Sequence, residues 1–374
     1  MKKAAIAVLF LAGAVVAAGE NGKMGGFGNF ISDVQAEDEL SESDKEQKEI
    51  IEESDTTEED RVAAIDTSIT LGAGSRIAVV SKATDGEYWK LVRQGMEDAV
   101  KDINKAYEFS SDDEISMTFE GPSDEQDIET QVNTLDAVIA ENPDVLCVSA
   151  SDMDSLQAQL EAAKENGIPV VAFDSGVTDS KMVRAFRGTD NTRVGEIAAY
   201  RLATAIGKMG KVAVFSAQEK TQSIQERVSG FTNYITNYPD IEVVEIVYQD
   251  QVDDMTAAMQ EVLDKYPQLD GVFCDNADIA DLYLDMKKDE TKDSIVMVGV
   301  DATAKQQEAI RNGKEVGVVS QQPYAMGYQT IWTALLTTAP KKSVEIKRNV
   351  RIDPAWIDSS NIDDPTYSSY LYAN

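Results

Sequence analysis

The sequence predicts an α/β protein of two doubly wound parallel-sheet lobes joined by a hinge, with a ligand cleft between the lobes. Three observations carry this expectation. Short apolar runs alternate with helical apolar spacing from Arg76 to about Thr337, and strand–helix alternation makes parallel sheets covered by helices on both faces. The 374 residues hold too many such strands for one core, because a domain usually organises ~100–150 residues. Polar side chains recur just after the strands, at the carboxyl ends where open parallel sheets bind ligands.

The elements follow in order. Arg76-Ile-Ala-Val-Val-Ser81 is a short apolar run of the kind that is buried on both faces of a sheet. Tyr88, Val92, Gly95, Met96, Ala99 and Ile103 then recur at helical spacing. Ile115 to Phe119 reads as a strand, and Ile128, Val132, Leu135 and Ile139 as a helix face. The strand Asp144 to Ser149 is followed by a helix carrying Leu156, Leu160 and Ala163, which Gly167 ends before the strand Val170 to Phe173. Further strands are expected at 183–186, 211–216, 241–247, 271–274 and 295–300. The helices expected between them cover 191–207, 223–237, 255–266, 279–288 and 304–312. A strand at 316–319 and a helix at 326–337 return the chain toward the first lobe. The expected division is an amino-terminal lobe at 75–188 completed by 323–349, a carboxy-terminal lobe at 189–322, and a crossing strand and tail at 350–374.

Composition excludes several functions. With 34 basic and 67 acidic residues the net charge is −33, which argues against nucleic acid, since phosphate binding needs clustered Lys and Arg. There is no histidine, so Ser-His-Asp and Cys-His catalysis are excluded, along with almost every catalytic zinc site. Two cysteines, Cys147 and Cys274, cannot build a disulfide framework or an iron–sulfur site. The acidic run Asp250 to Asp254 lacks the glycine and closing Glu of a calcium loop. No metal and no cofactor are expected.

The amino terminus reads as an export signal over residues 1–36. Lys2 and Lys3 precede an apolar run from Ala4 to Ala18, short for a spanning helix of ~20 residues. Cleavage is expected after Ala18 or Ala36, the alternative being an uncleaved anchor. No cysteine follows the apolar run, so a lipid anchor is not supported. Glu37 to Asp60 then holds 13 acids against Lys45 and Lys48. A stretch so charged and so poor in apolar residues does not order itself, and 37–74 is expected to be a disordered acidic tether.

Candidate site residues are those that follow the strands. They are Asp85, Tyr88 and Trp89 after the first strand, Ser149 after the third, and Asp174 and Ser175 after Phe173. In the second lobe they are Gln225 and Arg227 beyond Ser216, Asn276 after Cys274, Asp301 after Val300, and Gln321 after Val319. Carboxylates and amides exchange hydrogen bonds with neighbouring sugar hydroxyls, and aromatic faces pack on the C–H faces of the ring. Taken singly, each residue has a plainer role open to it: Asp174 or Asp301 as a cap, Asn276 in a turn, Tyr88 and Trp89 as helix packing. Tyr88 continues the apolar stripe of its helix, and Trp89 is expected to overhang the ligand.

The chain resembles the periplasmic sugar-binding proteins of ABC transporters, in the ribose- and galactose-binding group with the type I periplasmic binding fold. The resemblance covers about Arg76 to Asp358. It is carried by Ile-Ala-Val-Val-Ser at 77–81, Glu-Asn-Gly-Ile-Pro-Val-Val-Ala-Phe-Asp at 165–174, Gly-Thr-Asp-Asn at 188–191 and Gln-Glu-Arg-Val-Ser-Gly-Phe at 225–231. Gly-Val-Phe-Cys-Asp-Asn at 271–276, Val-Gly-Val-Asp-Ala-Thr at 298–303, Ser-Gln-Gln-Pro at 320–323 and Val-Arg-Ile-Asp at 350–353 complete it. The resemblance implies that Asp85, Tyr88, Trp89, Ser149, Asp174, Gln225, Asn276, Asp301 and Gln321 line the cleft. Ser175 and Gln225 stand where the ribose binders carry Arg, so the binding class carries over while ribose or galactose as ligand does not.

The expectation is an exported, monomeric solute-binding protein. It captures a small polar ligand, a monosaccharide or polyol, by closing about crossings near Thr189, Gln321–Gln322 and Arg348–Val350, and delivers it to a membrane permease. The alternative is a sensor that signals to a membrane histidine kinase or chemoreceptor. No catalysis is expected. Asp174→Ala is expected to weaken binding far more than the fold.

Overall fold

The computed structural model describes residues 65–287, 294–340 and 344–373. The export segment, and the acidic stretch as far as residue 64, lie outside the described residues. In chain order the first part runs β1 (Arg76–Val80), α1 (Glu87–Ala106), β2 (Ser116–Glu120), α2 (Ile128–Ala140), β3 (Val145–Val148), α3 (Gln157–Glu165), β4 (Val170–Phe173) and β5 (Ala185–Thr189). The second runs α4 (Asn191–Ala205), β6 (Gly210–Ser216), α5 (Gln222–Ile235), β7 (Ile241–Tyr248), α6 (Met255–Lys265), β8 (Gly271–Cys274), α7 (Ala277–Met286), β9 (Val296–Val300), α8 (Ala304–Arg311) and β10 (Gly317–Ser320). Helix α9 (Pro323–Thr338), β11 (Asn349–Ile352) and β12 (Ala355–Asp358) close the chain.

Two six-stranded sheets result, ordered β11-β5-β4-β3-β1-β2 and β12-β10-β9-β8-β6-β7. Every pairing is parallel except β10 with β12. The alternation of side chains along a strand builds a core on each face of the first sheet. In the first lobe Ile77, Val79, Val145, Cys147, Val171 and Phe173 face α1 and α9, while Ala78, Val80, Leu146, Val148, Val170 and Ala172 face α2 and α3. Strand order reverses at β1 and β3 in one sheet and at β6 and β8 in the other. The crevices at those switch points open between the lobes.

The chain crosses between lobes three times. It leaves β5 through Asp190 and leaves β10 through Gln321–Gln322. The third passage differs from the expected Arg348–Val350: β11 still pairs with β5 in the first sheet, and the crossing falls at Asp353–Pro354. The strand expected at 183–186 lies at Ala185–Thr189. Arg187, which broke the apolar run, is buried, and its guanidinium donates to the carbonyls of Phe186 and Lys347.

Residues 65–74, assigned to the tether, instead pack on the first lobe. Leu71 is buried in its core, and the Tyr107 hydroxyl donates to the carbonyls of Asp66 and Ile69 at 3.0 and 2.7 Å. The lobes themselves are in contact. The Ser175 hydroxyl lies 2.9 Å from that of Ser223, the Gly176 amide donates to Gln222 at 2.7 Å, and the Ala304 amide donates to Glu87 at 3.0 Å.

Candidate functional site: the interlobe cleft

The cleft encloses a cavity of about 520 Å³. The first lobe contributes Lys82, Asp85, Tyr88, Trp89, Glu125 and Asp174; the second contributes Gln218, Arg227, Asn276, Asp301 and Gln321. Asp174, Asp301 and Gln321 follow a strand directly, and Lys82, Gln218 and Asn276 lie two positions beyond one, because a parallel strand delivers its last residue to the switch-point crevice.

Asp174 is the centre of the first wall. Its backbone sits at φ 56°, a left-handed conformation that costs energy in a residue with a Cβ and that clusters at functional sites. It holds four partners. The Tyr88 hydroxyl donates to Oδ1 at 2.7 Å, the Ser149 hydroxyl donates to Oδ2 at 2.8 Å, Lys82 Nζ stands 3.0 Å away, and its amide donates to the Arg187 carbonyl at 2.8 Å. Burial alone would raise this carboxyl, but the Lys82 ammonium and the hydrogen bonds outweigh it and hold the group below the usual carboxylate range. Burial likewise works against the Lys82 charge, and Asp174 and Glu125 overcome it, so the ammonium is firmly protonated. Trp89 donates from Nε1 to Glu125 at 2.8 Å and lies edge-on to Tyr88 with centroids 5.2 Å apart. Lys82 Nζ sits 5.6 Å over the Trp89 ring.

In the second wall Asp301 mirrors Asp174. It too has a left-handed backbone, at φ 81°. Its Oδ2 accepts from the Ala277 amide at 2.8 Å, and its Oδ1 accepts from Gln321 Nε2 at 2.6 Å. Arg227 is buried on α5 and donates to Asn191 Oδ1 at 2.8 Å and to the Asp275 carbonyl at 2.7 Å. That side chain depends on the close approach of α4 to α5: a Cβ on Gly195 would lie 2.1 Å from the Arg227 carbonyl oxygen. Asn276 caps α7 through the Ile279 amide at 3.0 Å and still lines the cavity. Gln218, 5% exposed, has a carbonyl Oε1 with no protein partner, so a donor from a bound molecule would satisfy it.

Behind this wall Asp275 is fully buried, accepting from the Ala217 amide at 3.1 Å and from the Ser216 hydroxyl. Burial pushes its carboxyl up to about 6, against the Ser216 hydrogen bond and the Arg227 charge. Between roughly pH 4 and 6 the native state therefore keeps a proton that the unfolded chain has released, and stability falls as pH rises. Asp275→Asn keeps a similar shape and removes this dependence. The difference from the ordinary value is worth roughly 3 kcal/mol at neutral pH. Urea unfolding at pH 4 and pH 7 should show the variant gaining on the wild type as pH rises; parallel profiles would contradict the assignment.

Eight of the eleven sequence candidates line the cavity: Asp85, Tyr88, Trp89, Asp174, Arg227, Asn276, Asp301 and Gln321. Ser149 and Ser175 do not reach it, being buried behind Asp174. Gln225 is a correction, since it is exposed on the far side of α5. Cleft-facing Ser223 and Arg227 are four residues apart, one helical turn, and Gln225 between them points away. Tyr88 and Trp89 both line the cavity and both join the core, so one residue does not pack while the other overhangs.

Sequence reading missed Lys82, Glu125 and Gln218. Lys82 had a visible signal, a lysine directly after an apolar strand, where a buried charge needs a buried partner. Glu125 had none, because it reaches Trp89 and Lys82 only through the fold.

Two lobes enclosing a polar, aromatic-edged cavity at facing sheet ends define a cleft-type binding protein. The chain belongs to the periplasmic binding protein domain family, which matches residues 77–339 and is made up of substrate-binding proteins rather than enzymes. The ribose import binding protein of Bacillus subtilis (strain 168) is 27% identical over 203 residues, 54% of this chain and 66% of that protein. The xylitol-binding protein of Mycolicibacterium smegmatis is 24% identical over 197 residues, 52% of this chain and 56% of that protein. The matched stretch thus spans just under two thirds, or less, of these curated relatives. An ABC transporter solute-binding protein from Agrobacterium vitis, solved with bound D-fucose, superimposes with a TM-score of 0.72 at 28% identity, covering 80% of this chain and 100% of the other. One from Agrobacterium radiobacter in complex with D-arabinose gives 0.71 at 29% identity, covering 80% and 99%.

Proposed function

We propose that the protein works outside the cytoplasm as a monomer, captures a monosaccharide or related polyol in the interlobe cleft, and presents its closed form to the permease of an ABC transporter. The observation that carries this reading is the pairing of Asp174 and Asp301, one from each lobe, on a single cavity edged by Tyr88 and Trp89. Carboxylates accept from vicinal hydroxyls, and Lys82 and Arg227 donate to ring and hydroxyl oxygens. Each lobe supplies half the contacts, so bound ligand favours closure. The relatives named for ribose and xylitol, and the solved structures holding D-fucose and D-arabinose, support the same ligand class.

Isothermal titration of the protein against pentoses, hexoses and polyols tests this. Saturable heat with at least one of them is expected, and none with any would remove the sugar reading. Trp89 lines the cavity, whereas Trp332 packs in the first core and Trp356 lies against Arg201. Trp89→Phe should therefore abolish most of the ligand-induced fluorescence change and weaken binding by ~0.5–1.5 kcal/mol. A fluorescence response that survives in this variant would place the indole away from the ligand.

A further inference from the structure

The carboxy-terminal tail reaches the base of the cleft. Residues 365–370 form a 3-10 turn that docks on the second lobe. Tyr370 is buried with Ala302, Ile310, Val318 and Ile357, and its carbonyl accepts from the Ser320 hydroxyl. Its own hydroxyl accepts from Gln322 at 2.9 Å, directly at the second crossing. The Tyr372 amide donates to the Ala302 carbonyl at 3.1 Å, and the Ala373 carbonyl accepts from Gln307 at 3.0 Å. Five polar and apolar attachments thus fix the tail to the second lobe.

Tyr372 then points the other way. Its ring, 7% exposed, joins the core of the first lobe and lies 5.9 Å from the Tyr88 ring. Its hydroxyl donates to Asp301 Oδ1 at 2.7 Å. The two cavity carboxylates are therefore held in matching fashion: Tyr88 donates to Asp174 in the first lobe, Tyr372 donates to Asp301 in the second, and the two rings bear on each other between them. A carboxylate has about four acceptor positions. Tyr372, Gln321 and the Ala277 amide occupy three on Asp301, which leaves one direction open to the cavity.

We propose that Tyr372 is a positioning residue for ligand binding: it aims Asp301 into the cleft and, through the Tyr88 ring, fixes the separation of the two lobes at the level of the paired carboxylates. The proposal rests on the cleft being the ligand site. Burial and the adjoining Asp301 charge keep the Tyr372 phenol protonated, so it remains a donor across the ordinary pH range.

The test uses the full chain and the sugar that gives the largest heat with the wild type. Tyr372→Phe keeps the ring and removes only the hydroxyl. It should lower affinity about tenfold, and because the same hydrogen bond to a buried charge is lost from the ligand-free protein, a lower unfolding temperature is expected alongside. In an Asp301→Ala background, which removes the acceptor, the same change should cost less than twofold, because its effect runs through that side chain. Affinity within twofold of wild type for Tyr372→Phe, or losses that simply multiply in the double variant, would overturn the proposal. Tyr372→Ala removes the ring as well while keeping the full chain, and X-ray scattering of it without ligand should give a larger radius of gyration. Should the wild type bind no sugar, the sugar reading falls and the scattering arm still decides the tail's role. An unchanged radius there overturns it.

Discussion

Asp174→Ala is expected to weaken ligand binding at least about tenfold and also to destabilise the protein. Tyr88, Ser149 and Lys82 occupy three of about four acceptor positions on this carboxylate, and the charge-assisted hydrogen bond from a ligand hydroxyl that the remaining one can accept is worth ~1.5–3 kcal/mol, about 10- to 150-fold in affinity. Sequence reasoning expects the fold to suffer far less than binding. The structure changes that, because Lys82 is 4% exposed with Asp174 as its nearest anion, at 3.0 Å against 3.5 Å for Glu125. Removing one partner of a buried pair costs ~3–5 kcal/mol, and here Glu125 retains part of the compensation, so a loss near the lower end is expected. Chemical denaturation together with calorimetric titration separates the two effects. Lys82→Met in the Asp174→Ala background removes the orphaned charge and should recover stability without recovering binding. Affinity within threefold of wild type in Asp174→Ala would remove this residue from the site.

Arg227→Ala should have an effect of similar size in the second lobe. The guanidinium stands among Asp301, Asp275 and Asp174, whose charges stabilise it against the cost of its own burial. Removing it leaves those carboxylates to repel one another and frees Asn191 and the Asp275 carbonyl. The expected result is at least ~100-fold weaker binding and a stability loss of ~3–5 kcal/mol. The loss has a definite pH dependence. Arg227 opposes the rise of the Asp275 carboxyl to about 6, so without it the native carboxyl titrates higher still. The stability decline that begins near the unfolded value then continues to higher pH. The penalty should therefore be larger at pH 7 than at pH 5. A penalty independent of pH would mean that Arg227 acts by packing alone. Arg227→Lys keeps a charge but loses the fork that joins Asn191 to Asp275, and an intermediate affinity is expected.

The order of strands and helices, the parallel sheets and the two-lobed division were legible in the residues alone. The reason is local. Strands buried on both faces are uninterrupted apolar runs, and helices lying on them carry one apolar stripe. Both patterns survive in a single chain because burial demands them at every turn. The rule that ligands meet parallel sheets at their carboxyl ends located Asp174, Asn276, Asp301 and Gln321 in the cavity, since a residue just after a strand is fixed in space by the strand. The same rule failed where a helix intervened: Gln225 and Arg227 differ by two positions, and only the rotation of α5 decided which faces the cleft. It also failed where a charge hides inside the fold. Lys82 and Asp174 are 92 positions apart, and their pairing depends on β1 and β4 flanking β3 in one sheet. The tail is the extreme case. Residues 365–373 carry no periodic signal, yet Tyr372 reaches Asp301 and Tyr88 because the chain's last crossing returns it to the hinge. Apolar period is written locally and fixes the elements; the pairing of distant polar groups depends on how the finished lobes meet, and only the tertiary structure decides it.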